Sequence, residues 1–169
     1  MPYSLEYIGG AAFASCQVDG ILCRGELRLT NKVKYIGDRA FWRARQFYGT
    51  FSVPANLEYL GAAAFEDCGT NLIGDIEIPI TMVEIPGGAF RGIGFTNGTT
   101  IKLHDGVTKI GESAFDGLRL KGDLLLPDKI TYIGNNAFYC THFSGRLKLP
   151  SNLEYMGVRA FCEGGLSGE

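Results

Sequence analysis

Long apolar runs are missing from this chain, and so is a leader. No stretch of 18 apolar residues occurs, and MPYSLEYIGG passes straight into patterned sequence. No membrane-spanning helix is expected, and the sequence as written shows no export signal. An excess of charge is missing too. Sixteen Lys and Arg against 18 Asp and Glu leave −2, which offers no general field to nucleic acid or an anionic membrane. Histidine occurs only as His104 and His142. There is no GxSxG, Walker loop or HExxH, so neither an enzyme nor a cofactor is expected. Five cysteines cannot all pair within one chain, and none has the CxxC spacing of a zinc site.

What the chain has is repetition. An apolar residue, two variable positions, Ile-Gly, two more variable positions and Ala-Phe recur in copies that start near 5, 33, 57, 82, 107, 130 and 153. Phe13, Phe41, Phe65, Phe90, Phe115, Phe138 and Phe161 are separated by 28, 24, 25, 25, 23 and 23 residues. A period in the twenties held over residues 1–169 predicts a single solenoid whose coils stack neighbour on neighbour.

Within a copy the pattern changes twice. Small and aromatic residues follow Gly37 by three and four, a spacing that predicts a short helical turn. Strict alternation then appears, as in Gly74-Asp75-Ile76-Glu77-Ile78 and Gly145-Arg146-Leu147-Lys148-Leu149, and predicts a half-buried strand. Pro54, Pro79, Pro127 and Pro150 end four of these strands. In register, the phenylalanines form an aromatic spine, and a second column runs through Cys23, Phe47, Leu72, Phe95, Leu120, Phe143 and Leu166. Cys16, Cys68, Cys140 and Cys162 follow the spine phenylalanine by one to three residues, and read as small buried hydrophobes rather than disulfides or metal ligands.

These residues resemble the BspA-like, or Treponema pallidum-type, leucine-rich repeat; Leu57–Thr81 reads LEYLGAAAFEDCGTNLIGDIEIPIT. The resemblance covers essentially the whole chain. It implies an α/β repeat solenoid: a right-handed curved array of about seven coils, with parallel short strands and short helical turns. It also implies a non-catalytic adhesion or protein-interaction module of a surface or secreted protein, whose partner is a host or neighbouring-cell protein. Two copies depart from the pattern. The first is longer between Phe13 and Gly25, and the fourth has Ile85-Pro86 for Ile-Gly and His104 for the strand proline.

Partner-binding candidates lie on outward positions. One column is Glu26, Thr50, Asp75, Thr100, Asp123 and Arg146; the next is Arg28, Ser52, Glu77, Lys102, Leu125 and Lys148. An ordinary solvated face is the competing reading. Copy two adds Arg39, Trp42, Arg43, Arg45 and Tyr48, with the single tryptophan, and these are residue types enriched in interface hot spots. Tyr7, Tyr35, Tyr59, Tyr132 and Tyr155 share one slot, read as lateral stacking before partner binding. Asn97-Gly98-Thr99 reads as a plain turn before a glycosylation site. Neither end shows a polar capping unit. Either more repeats have been removed or the raw ends meet another molecule, and the alternative role is a structural subunit assembling head-to-tail through those ends.

Overall fold

The computed structural model describes residues 1–18, 21–22 and 24–163. Cys23, Leu166 and the closing 166–169 segment lie outside the described residues. Each copy begins with a two-residue strand: Tyr7–Ile8, Tyr35–Ile36, Tyr59–Leu60, Glu84–Ile85, Lys109–Ile110, Tyr132–Ile133 and Tyr155–Met156. They pair in parallel, Tyr7 beside Tyr35 and Ile8 beside Ile36, and likewise onward except between Tyr59–Leu60 and Glu84–Ile85. Successive residues of a strand face opposite ways, so the aliphatic member is buried from Ile8 to Ile133 and the other points outward. Seven such strands enclose six complete turns of a parallel β-solenoid, which corrects the expected seven coils to about six.

No helix forms among the described residues, so the expected short helical turn is corrected and the solenoid is all-β rather than α/β. The reason lies in the backbone. Arg39 and Arg43 have φ of 55° and 53°, and the matching Ala11, Ser15, Ala63, Asp67, Ser113, Asn136 and Cys140 are left-handed too. A left-handed residue at every fourth position cannot belong to a right-handed helix. The segment instead makes overlapping four-residue turns, with Ala40 N–H on Gly37 O at 3.2 Å, Trp42 on Arg39 O at 3.0 Å and Ala44 on Phe41 O at 3.1 Å. The alternate donors leave the coil. Arg39, Phe41 and Arg43 give their N–H groups to Ala62, Ala64 and Glu66 of the next coil at 2.8, 2.7 and 2.8 Å. This turn ladder continues to Phe138 on Ala160 and Cys140 on Cys162.

The turn ladder positions the spine. Phe41, Phe65, Phe90, Phe115 and Phe138 are fully buried, and consecutive rings from Phe13 to Phe161 stack at 5.0–5.9 Å between centroids. Glycine follows the first strand in every copy but the fourth, and between coils the reason is steric. A Cβ on Gly37 would lie 2.5 Å from Gly10 N, and one on Gly61 2.2 Å from Asp38 N, so neighbouring backbones leave no room for a side chain.

A second parallel ladder joins Gly25–Glu26, Phe47–Thr50 and Asn71–Ile73, then Ile76–Glu77 with Ile101–Lys102, and Leu124–Leu125 with Leu147–Lys148. Glu26 sits beside Tyr48 and Thr50 beside Ile73, two residues away from the alignment of the copies. A two-residue slip keeps every side chain on its own face. Leu27, Phe51 and Ile76 therefore stay buried, while the outward column is interrupted. The longer first copy adds an antiparallel pair, Gln17–Val18 with Ile21–Leu22.

The fourth copy departs twice. His104 takes the place of the strand proline and keeps the turn: its Nδ1 accepts Gly106 N–H at 3.0 Å, so Nε2 donates to Met82 O at 2.9 Å. Pro86 has a larger effect. At the matching position Gly37, Gly61, Gly111, Gly134 and Gly157 give N–H to the carbonyl of the preceding coil at 2.8–2.9 Å, and proline has none to give. The first ladder is accordingly two sheets, of three and four strands, divided between Leu60 and Glu84.

Phe90→Ala should cost about 3–5 kcal/mol in denaturant unfolding, the range for truncating a buried phenylalanine. Gly88→Ala isolates the backbone, because its φ is 64° and a Cβ there meets nothing nearer than 3.6 Å. It should cost roughly 1 kcal/mol, and Ala63→Gly at the matching position should not destabilise by more than a few tenths.

Candidate functional site

Copy two carries a ridge on the turn ladder. Arg43 is left-handed at φ 53°, and its guanidinium carbon lies 4.4 Å from the centre of the Trp42 ring. Stacking on an indole face holds a guanidinium flat and leaves its edge free to donate. Arg45 Nη2 bonds Asp67 Oδ2 at 3.0 Å, and Arg43 Nε lies 3.9 Å from the same oxygen. Two guanidiniums thus share one carboxylate, and both remain more than half exposed.

One groove borders this ridge and a second adjoins the first. The first, of about 480 Å³, is lined by Ser15, Cys16, Arg43, Ala44, Arg45 and Gln46. The second, of about 580 Å³, shares Gln46 and runs past Arg24, Tyr48, Asn71 and Ile73. Tyr48 and Ile73 are 44% and 49% exposed there, so apolar surface is available beside the cationic ridge. The five copy-two candidates are therefore divided. Trp42, Arg43 and Arg45 come together, Tyr48 lies in the second groove, Arg39 is exposed at φ 55°, and neither Trp42 nor Arg39 lines either groove.

The outward strand candidates form separate patches, contrary to the continuous columns expected. Glu26 and Arg28 pair at 2.8 Å and border a groove with Tyr3, Thr50 and Ser52. Lys102 lies 3.9 Å from Asp75 and 4.0 Å from Glu77. Arg146 grips Asp123 by its backbone N–H at 2.8 Å and by Nη2 at 2.9 Å, while Lys148 pairs with Asp128 at 3.1 Å. The backbone and guanidinium donors of Arg146 hold the Asp123 carboxyl below its ordinary value. The Ser151 N–H and the Lys148 ammonium do the same for Asp128.

Sequence reasoning missed one cluster. Arg91 bridges Glu66 at 3.4 Å and Asp116 at 3.1 Å above Gly92 and Gly117, in a notch of about 220 Å³. Burial raises the Asp116 carboxyl and Arg91 partly reverses the shift. The signal was legible, because Glu66, Arg91 and Asp116 each follow a spine phenylalanine and alternate in sign.

The tyrosines stack between coils: Tyr7 on Tyr35 at 4.2 Å, Tyr35 on Tyr59 at 4.5 Å and Tyr132 on Tyr155 at 4.7 Å. Cysteine divides three ways. Cys68 is buried, which pushes its thiol up to about 12; Cys140 and Cys162 are free thiols nearer the surface. Cys16 is disulfide-bonded, which corrects the reading of all four as buried hydrophobes. His142 makes a local contact, Nδ1 to Cys140 O at 3.1 Å. Thr99 is buried with its hydroxyl on Gly74 O, while Asn97 is exposed. Among the described residues no three His, Cys, Asp or Glu converge as a metal site would need, and no helix is long and apolar enough to cross a membrane.

The BspA type leucine rich repeat region, a six-copy model, matches residues 1–91, 23–121 and 69–167. The chain belongs to this family. Its repeat is a protein-interaction module, typically non-catalytic, and BspA-like proteins are often surface-associated. No curated protein and no solved structure gives a significant match.

In this BspA-type chain the Asp123–Arg146 pair gives a pH test. A carboxyl held lower in the folded state stabilises above its unfolded value, and the contribution is lost as pH falls through the folded value. Asp123→Asn should therefore be less stable than the parent at pH 7, and the gap should close below about pH 4. Thermal unfolding across pH 2–7 measures it.

Proposed function

We propose that this chain is a non-catalytic adhesion module of a surface or secreted protein, and that it grips a protein partner through the Trp42 ridge. The observation that supports this is the Arg43 guanidinium stacked on Trp42 at the edge of an open groove that Arg43 and Arg45 line. Other copies place Ala14, Glu66, Arg91, Asp116, Tyr139 and Cys162 where copy two has Trp42. The fold therefore does not require tryptophan there. A partly buried indole with a held guanidinium beside it has the chemistry of an interface anchor. Asp75, Glu77, Lys102, Arg146 and Lys148 are already paired with neighbours, and serve as rim contacts that contribute little.

The test uses a partner selected on the immobilised chain from a cell-surface protein extract. Trp42→Ala and Arg45→Ala should each weaken binding by about tenfold or more, and Lys148→Ala by less than about threefold. Binding unchanged in the first two removes the ridge from the site. Molar mass by light scattering separates the alternative role: mass that rises with concentration, indifferent to reductant, points to head-to-tail assembly.

A further inference from the structure

We infer that the solenoid contains a one-sided hinge between its third and fourth copies, at Pro86. On the tyrosine side the two coils share no strand pairing. One junction earlier Glu58 and Gly61 give N–H to Lys34 and Ile36 at 2.8 Å, and one junction later Thr108 and Gly111 give N–H to Val83 and Ile85 at 2.8 Å. Between these, no backbone donor among the described residues reaches the carbonyls of Glu58 or Leu60. The side chains separate at the same place. The stack Tyr7–Tyr35–Tyr59 stops, and the next occupant of that column, Glu84, turns to Lys109 at 3.9 Å. The spine is also at its widest here, with Phe65 and Phe90 at 5.9 Å against 5.0–5.6 Å elsewhere.

The other sides of the same junction are intact. Ala63, Phe65 and Asp67 give N–H to Gly87, Ala89 and Arg91 at 2.9, 2.9 and 2.8 Å, and Leu72 to Gly94 at 3.0 Å. Phe51 adds edge contacts to Phe65 at 5.1 Å and to Phe95 at 5.6 Å, clamping the second-ladder side. The coils are thus tied along two sides and released along the third. Among the described residues, the Thr81 hydroxyl on Leu57 O reaches across the released side. Bending opens the tyrosine face and pivots on the turn ladder, changing the angle between copies one to three, which carry the Trp42 ridge, and the copies that follow. An element with few backbone bonds on one side is where local opening takes least free energy.

Residue-resolved amide hydrogen exchange on the whole chain tests this. The Val83 and Glu84 amides should exchange about tenfold faster than those of Thr108 and Lys109, the loss expected when one net hydrogen bond is missing. Ala63, Phe65 and Asp67 should remain as protected as Ser113, Phe115 and Gly117, which occupy the same turn positions. Pro86→Gly, which restores the donor facing Leu60 O, should slow the Val83 and Glu84 amides. Equal protection on the tyrosine side at all three junctions overturns the hinge. So does fast exchange on both sides of the junction, which would be a general loosening, or failure of Pro86→Gly to change either amide.

Discussion

The hydrogen bonds from Phe41 to Ala64, Phe65 to Ala89 and Phe90 to Ala114, at 2.7–2.9 Å, carry more of the structure than their number suggests. Each belongs to a donor that a helix would have kept inside its own segment. Because the left-handed residues before and after Phe41 turn that donor outward, a single coil cannot satisfy its own backbone, and only a neighbour completes it. The cost of a left-handed side chain, of order 1–2 kcal/mol by sterics, is borne at eleven described non-glycine positions. It is offset only when coils stack. The same bonds set the separation at which Phe rings lie face over face and at which Gly37 and Gly61 admit no Cβ. Stability in such an array resides in the junctions rather than in the repeats.

Charge follows the junctions as well. Residues 1–56 hold seven Lys and Arg against four Asp and Glu, and residues 57–91 hold one against six. The acidic third copy is met from both sides: Arg45 reaches Asp67, Arg91 bridges Glu66 to Asp116, and Lys102 lies by Asp75 and Glu77. Exposed pairs of this kind each contribute little. What they decide is register, since skipping one coil would set Glu66 against Asp116 rather than against Arg91. They also explain why an outward column that looks like a binding stripe in the sequence is mostly occupied in the fold.

The spine, the Ile and Leu positions and the parallel stacking were legible because each rests on a residue type repeated at one period. Three features were not. The Ala-Phe spacing of three and four after glycine fits a helix as well as it fits overlapping turns. Only the φ of Arg39 and Ala63, which no side-chain pattern announces, decides between them. The second ladder slips by two residues from Glu26 to Ile73, and an even slip leaves the apolar alternation unchanged. Tyr48 was grouped with Trp42 by nearness in sequence, yet strand residues from Phe47 onward belong to another side of the coil. Pro86 and His104 were visible as departures, and their consequences differ for a chemical reason. The imidazole supplies both an acceptor and a donor to its turn, whereas proline removes a donor from a ladder.

Departures from the repeat are also where function has room to reside. A residue that recurs from copy to copy is explained by the junction it completes, and the tyrosines are an example: their rings already stack on one another at 4.2–4.7 Å. Trp42 completes no such column, and its ring is covered instead by Arg43 of its own coil. Asp67 holds Arg45 from the next coil without neutralising both guanidiniums. The ridge is therefore fixed in place by the solenoid while its hydrogen-bonding edge is left open. A rigid anchor loses little freedom on meeting a partner, and this preorganisation favours binding more than added contact area does.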